Sequence, residues 1–439
     1  MVFYMSSMTL ELIGFGLIAI VCGFIILYMM LRDMVSADKH KWFLGIGLGS
    51  GIIAFSLKIL FIVTFDSFPK EIVLAESHAK VIDINYPTQP AVLKYALVIT
   101  QNQGYTWKAL PRSAPFPKDN PITLEKIQLG KKLFFDKRLS VDNTISCASC
   151  HVLSNQKGGA DGRRLSMGVK NQQGKRNAPT VLNAAFQRRL FWDGRAHSLE
   201  QQAQGPLINP VEMGMPSLTA VENKIRKLPE YISLFKSAFF TAPAITIQNI
   251  SKAIATYERT LITPDSAYDR FVRGDKGALT KKQLRGMSLF ESTGCIVCHS
   301  GPNFSGASVF NRNGAFRLFP SVTNRKIELQ YNLTDDLGAA ANLKNYGRGV
   351  WRIPSLRNVS RTAPYFHNGS VKKLTEAVRI MAQVQLNKII SNQETDDKNI
   401  IWSSRYKQLG VSNNHALSDA EINDIVDFLS ALDGELPNT

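Results

Sequence analysis

The sequence predicts a mostly α-helical chain, with an apolar helical hairpin at its N-terminus and two similar helical domains after it. Three observations predict this. Residues 12–31 carry no charged side chain and residues 43–65 carry only Lys58; a run of roughly 20 apolar residues crosses about 30 Å of hydrocarbon. Two pentapeptides, Cys147-Ala148-Ser149-Cys150-His151 and Cys295-Ile296-Val297-Cys298-His299, read C-x-x-C-H, the attachment signature of a c-type haem. Around both, apolar residues recur at helical spacing, and no segment alternates convincingly as a strand would. The fold class is therefore mostly α: an N-terminal transmembrane helical hairpin followed by two cytochrome-c-like haem domains. The boundaries read as hairpin 1–66, spacer or docking segment 67–115, first haem domain 116–278 and second haem domain 279–439.

In each motif the two cysteines form thioethers to the haem and the adjacent histidine ligates the iron. A single C-x-x-C could equally be a redox dithiol or half of a zinc site. A zinc site would want both pairs on one metal, and nothing would then require a histidine straight after each. Four of the five cysteines fall in the two motifs; the fifth, Cys22, lies in the first apolar run and reads as packing. Two covalently bound haem c groups are expected. Haem c is attached outside the cytoplasm, so the expected compartment is periplasmic.

The formal charge is +17. A basic surface can meet nucleic acid, anionic lipid or an acidic protein. No nucleic-acid motif is present in the sequence, so lipid head groups and an acidic electron donor are the expected partners.

The elements follow in order. The first apolar run is long for a signal peptide and ends Tyr28-Met29-Met30-Leu31-Arg32, with no small-residue cleavage site. It reads as a retained span. The connection to the second run carries Arg32, Lys39, His40 and Lys41, whereas no Lys or Arg precedes Glu11. By the positive-inside rule the connection is cytoplasmic and both ends face out. The haem domains then face the periplasm from the inner membrane. Lys58 reads as snorkelling to the interface, or as a polar contact for a quinone or partner subunit. Pro87, Pro90, Pro111 and Pro115 punctuate the spacer.

From Ile122 the pattern turns helical, with Leu124, Ile127, Leu129 and Phe134 ahead of the first motif. A Gly- and Arg-rich loop, 158–176, follows that motif. Short helices are expected over 178–188 and 199–203, and longer amphipathic ones over 217–240 and 245–260. Thr280-Lys281-Lys282-Gln283 is a capping box opening a helix into the second motif. Ser418-Asp419-Ala420-Glu421 caps a closing helix with Ile422, Ile425, Val426 and Leu429 on one face, and Gly434 ends it.

From Ile122 to Leu432 the chain resembles the bacterial dihaem cytochrome c peroxidases. The resemblance rests on long runs: Leu129-Gly130-Lys131-Lys132-Leu133-Phe134-Phe135-Asp136, Arg176-Asn177-Ala178-Pro179-Thr180, Phe191-Trp192-Asp193-Gly194-Arg195 and Asn209-Pro210-Val211-Glu212-Met213. In the second half they are Pro354-Ser355-Leu356-Arg357-Asn358 and Thr362-Ala363-Pro364-Tyr365-Phe366-His367-Asn368-Gly369. The resemblance implies that His151 is the proximal ligand of a peroxidatic haem. It implies His299 and Met381 as the axial ligands of a higher-potential electron-transfer haem. Glu212 is then the distal acid–base with Gln202 its neighbour, and Trp192 a relay between the haems. Asn177 and the backbone carbonyls of Thr362 and Pro364 match the family's calcium site. Hydrogen peroxide is the implied substrate. A cytochrome c, a cupredoxin or a membrane redox subunit is the implied donor, and a homodimer is the family's common state.

The chain departs from the family at Val169, where many members carry a histidine that ligates the resting peroxidatic iron. Two readings follow: an open first haem needing no reductive activation, or Met167 as a replacement ligand. Three functions compete. The leading one is a membrane-anchored peroxide reductase. The second is a dihaem enzyme that oxidises a protein side chain; its relatives replace the axial methionine with tyrosine, whereas Met381 is retained here. The third is a non-enzymatic electron-transfer subunit of a membrane complex, which would need neither Glu212 nor Gln202.

Overall fold

The structure, a computed structural model, describes residues 105–390 and 416–436 apart from Asn155, Thr241, Arg312, Asn313 and Ile389. The expected transmembrane hairpin 1–66 and the spacer up to residue 104 lie outside the described residues. Among the described residues no helix is long and apolar enough to cross a membrane. All of them belong to one compact unit, Ala79–Thr439. In chain order the helices are α1 (Leu124–Phe135), α2 (Cys147–Cys150), α3 (Leu199–Ile208), α4 (Leu218–Arg226), α5 (Pro229–Ala238), α6 (Ile247–Glu258), α7 (Ala267–Val272), α8 (Lys281–Ser292), α9 (Arg325–Tyr331), α10 (Leu374–Val384) and α11 (Asp419–Ser430). Two three-residue strands, β1 (Phe316–Leu318) and β2 (Val350–Arg352), pair antiparallel with Phe316 opposite Arg352. The described part is mostly helical, as the sequence predicts.

Two hydrophobic cores repeat one arrangement. In the first, the Thr123 side chain accepts from the Lys126 amide at 3.2 Å and starts α1. Leu129, Leu133 and Phe134 form its buried stripe. That stripe packs on α6, with Gly130 at the crossing: a Cβ there would overlap the Ala253 carbonyl and lie 2.9 Å from the Tyr257 Cβ. In the second core, Thr280 and Gln283 close the expected capping box at 3.2 and 2.9 Å and start α8. α8 packs on α11 with Gly286 at the crossing, where a Cβ would overlap the Asp424 carbonyl and lie 2.8 Å from the Phe428 Cβ. Four residues after each glycine an aromatic ring meets the partner helix edge-on. Phe134 and Tyr257 stand 5.4 Å apart, Phe290 and Phe428 5.5 Å apart. Both haem units are therefore built on a glycine-mediated helix crossing.

This predicts a specific defect. Gly286→Val should destabilise the second unit by about 1–3 kcal/mol through overpacking, read by denaturant unfolding followed at the second haem. Unchanged stability would mean that the crossing can spread at little cost.

Several local expectations are corrected. Residues 178–188 hold only a single 3₁₀ turn, Ala184–Phe186. Asn183 enters it left-handed, at φ 60°. Its backbone and side chain bond Leu261 and Thr263 instead of a helical ladder. The expected helix 217–240 is two helices, because Pro229 has no N–H to continue α4 and instead opens α5. The closing helix α11 stops at Ser430, before Gly434, whose amide donates to Asn358 Oδ1 at 3.0 Å. β1 and β2 were not expected; three residues are too few to show an alternating period.

Residues 105–115 of the spacer are docked rather than loose. Trp107 packs against Tyr268, Phe304 and Phe428 of the second core. The Leu110 amide donates to Asp269 at 2.8 Å, and the Gly301 amide donates to the Tyr105 hydroxyl. α7 precedes the boundary drawn at 278 yet packs with this second core.

Candidate haem sites and distal pocket

Both C-x-x-C-H motifs are wound the same way. The His151 amide donates to the Cys147 carbonyl at 2.9 Å, and the His299 amide to the Cys295 carbonyl at 3.0 Å. One helical turn therefore brings two sulfurs and an imidazole to the same place. The first turn is α2, whose start is held by the Ser146 amide donating to Ser149 Oγ at 3.0 Å. The second is a 3₁₀ turn, Cys295–Val297, entered through Gly294 at φ 96°. No disulfide joins these cysteines.

Both motifs open into one cavity of about 1290 Å³. That exceeds the roughly 300–1,000 Å³ of a single small-molecule pocket. Met381 of α10 lines it as well. His299 Nδ1 lies 3.2 Å from the Phe304 carbonyl oxygen. A carbonyl only accepts, so Nδ1 carries the proton and Nε2 is left to act as ligand. Burial pushes the pKa of His299 down to about 4 and lowers that of His151, so both imidazoles are neutral, the form that binds metal. Two sulfur pairs, two neutral imidazoles and a thioether around one large cavity fit two haems. Cys147, Cys150 and His151 would hold the first. Cys295, Cys298, His299 and Met381 would hold the second.

Glu212, Gln202 and Trp192 line the same cavity. Glu212 sits in the loop after α3, where Asn209 Nδ2 donates to its Oε1 at 2.8 Å. Burial raises its pKa, opposed by the Arg195 guanidinium and the Asn209 bond. Trp192 Nε1 donates to the Asn177 carbonyl at 2.8 Å, and the Arg352 amide donates to the Trp192 carbonyl at 3.0 Å. This tryptophan thus joins the two halves. Asn177 is buried, donates through Nδ2 to the Arg163 carbonyl at 2.9 Å, and lines the cavity with Thr362 and Pro364.

Val169 is 1% exposed and lies outside the cavity lining, whereas Met167 is part of it. The Val169 amide donates to the Glu212 carbonyl at 2.9 Å. The loop is closed on itself by Gly168 and Gly174 amides bonding Gln172 and Ser166 at 2.8 and 3.0 Å. The loop that carries Val169 thus braces the backbone of Glu212.

The sequence reading missed two cavity residues. Arg352 is buried, with Nε donating to the Phe191 carbonyl at 2.7 Å. Glu258 is buried on the face that carries Ile250 and Ile254. A carboxylate in step with an apolar stripe was the available signal.

The family described as di-haem cytochrome c peroxidase matches residues 124–277. The cytochrome c551 peroxidase of Nitrosomonas europaea is 41% identical over 280 residues, covering 64% of this chain and 79% of that protein. The cytochrome c551 peroxidase of Pseudomonas aeruginosa is 40% identical over 294 residues, 66% of this chain and 81% of that protein. Among solved structures, a MauG-like protein associated with microbial copper homeostasis superposes with a TM-score of 0.59 at 30% identity, covering 74% of this chain and 95% of that one. The paired haem motifs, the shared cavity and this similarity lead to one conclusion: the chain belongs to the di-haem cytochrome c peroxidase family.

Proposed function

We propose that this chain is a di-haem peroxidase that reduces hydrogen peroxide to water, H₂O₂ + 2 e⁻ + 2 H⁺ → 2 H₂O. The observation that carries this is the raised-pKa Glu212 carboxyl lining the cavity of the first motif. When bound, the first haem supplies the iron chemistry of O–O cleavage and the second relays electrons to it. The residues supply the rest. Asn209 engages Glu212 Oε1 and leaves Oε2 to accept a proton from one peroxide oxygen and return it to the other. Trp192, fixed to both halves, would relay electrons between the haems. Met381 would raise the potential of the second haem, as a thioether ligand does. The haem-loaded protein should consume one peroxide for every two electrons taken from a reduced cytochrome c or cupredoxin. Haem-loaded protein that leaves peroxide intact would overturn the reading.

Anchoring in the inner membrane, with the haems facing the periplasm, is supported by the uncharged run 12–31, the apolar run 43–65 with Lys58 as its one charge, and the basic connection between them. A Ca²⁺ ion held by Asn177 and the Thr362 and Pro364 carbonyls is supported by their oxygen donors and shared cavity. An open first haem is supported by the burial of Val169 away from the cavity. The fully oxidised protein should then bind cyanide without prior reduction, seen as a spectral change of the first haem. A spectrum unmoved by cyanide would favour Met167 as a sixth ligand. The donor is a cytochrome c, a cupredoxin or a membrane redox subunit, and a homodimer is the expected assembly. Oxidation of a protein side chain is the second reading: the missing loop histidine is compatible with it, and the retained Met381 argues against it.

A further inference from the structure

Glu258 plays no part in the scheme above, yet it lies in the cavity. It is 5% exposed, its Oε2 is buried without a hydrogen-bond partner, and it lines the cavity next to Ile254. Such a group is costly to leave charged. The groups that face it are few. α3 presents Glu200, α2 presents the Cys147 sulfur, and Arg259 follows it on its own chain. Arg259 is already engaged by Glu200, with N–O distances of 2.7 and 3.1 Å. The end of α6 adds the negative pole of a helix. Arg259 draws the Glu258 carboxyl down, but Glu200 already shares that cation and itself repels a second negative charge.

We propose that Glu258 is a redox-linked proton site of the first haem: its carboxyl binds a proton when that haem gains an electron and releases it when the haem is oxidised. The electron comes from the donor that reduces the haem and the proton from water. The O–H bond of Glu258 is the bond that forms on reduction and breaks on oxidation. The coupling is electrostatic. An added electron and a buried carboxylate repel each other across low-dielectric protein far more than they would in water, so reduction favours the neutral acid. Burial, opposed by Arg259 and reinforced by Glu200, already pushes the carboxyl up to about 8, which places the coupling on the alkaline side of neutrality. Peroxide reduction consumes protons with its electrons, and this site would store one of them beside the haem.

The inference rests on the reading of the first motif as a haem site, and it is independent of peroxide turnover. Its test is a spectroelectrochemical titration of the first haem in the full-length di-haem protein, over a range of pH. The potential should fall with rising pH above about pH 8. The limiting slope is about 59 mV per pH unit, the constant for one proton per electron. Glu258→Gln, neutral and of the same size, should abolish the slope and hold the potential near the low-pH plateau. Glu258→Asp should keep the slope with a displaced midpoint. A flat wild-type profile, or an unchanged slope in Glu258→Gln, would overturn the proposal. Should Glu258→Gln fail to fold, the Glu258→Asp midpoint decides, and an unmoved midpoint overturns it. Haem counts on the same samples separately check that the first haem is attached.

Discussion

Glu212→Gln should lower peroxide turnover by about 10²–10⁴-fold, the usual worth of a positioned proton shuttle, while both haems stay attached and exchange electrons. The substitution is mild in shape. A glutamine Oε1 can still accept from Asn209 Nδ2, so the loop 209–214 keeps its anchor. What is lost is the capacity to hold and return a proton. The sign of the pH dependence follows from burial, which raises the Glu212 pKa above the ordinary glutamate value of about 4.3. The carboxylate must be free to accept the first proton. Wild-type activity is therefore present above the raised pKa and falls as pH drops through it. That acid limb should lie higher than for an exposed glutamate and should vanish in Glu212→Gln. Unchanged turnover would remove Glu212 from the mechanism, and a pure electron-transfer role would gain.

The parts of the site legible in the sequence are those whose chemistry is local. C-x-x-C-H needs five consecutive residues, and the structure adds only that both turns close with the same amide–carbonyl bond. The capping boxes at Thr280 and Ser418 are likewise four-residue facts. Gly130 and Gly286 were in view but silent. Their partners, the Ala253 and Asp424 carbonyls, lie on helices far along the chain. The repeat Gly-x-x-x-Phe before both motifs carried the signal. Glu258 was hidden for a different reason: its helix reads as ordinary core, and only the cavity shows that the stripe ends at a haem site. The docked segment 105–115 was masked by its prolines, which mark loops without saying where a loop packs.

Arg357→Met should destabilise the second haem unit by about 3–5 kcal/mol, the cost of stranding one partner of a buried ion pair. Arg357 and Asp269 are both fully buried, with N–O distances of 2.6 and 2.9 Å. The pair sits where four segments meet. Asp269 also accepts from the Leu110 amide at 2.8 Å and from Ser266, tying down the docked segment. Arg357 also donates to the Pro302 carbonyl at 2.9 and 2.7 Å. Its guanidinium lies over the Tyr268 and Phe304 rings at 5.4 and 5.5 Å. Pro302 and Phe304 belong to the loop that follows His299, and the Phe304 carbonyl sets the orientation of that imidazole. The arginine therefore acts on the His299 imidazole through the loop that orients it, without touching the cavity's sulfurs. Unfolding followed at the second haem should show the loss, together with a shifted potential for that haem alone. Pairing the change with Asp269→Asn should recover part of the stability, because the stranded charge is gone. A loss below about 1 kcal/mol would mean that the three remaining donors to Asp269 suffice to hold it. In that case the loop after His299 would be set by Trp107 and the aromatic cluster instead.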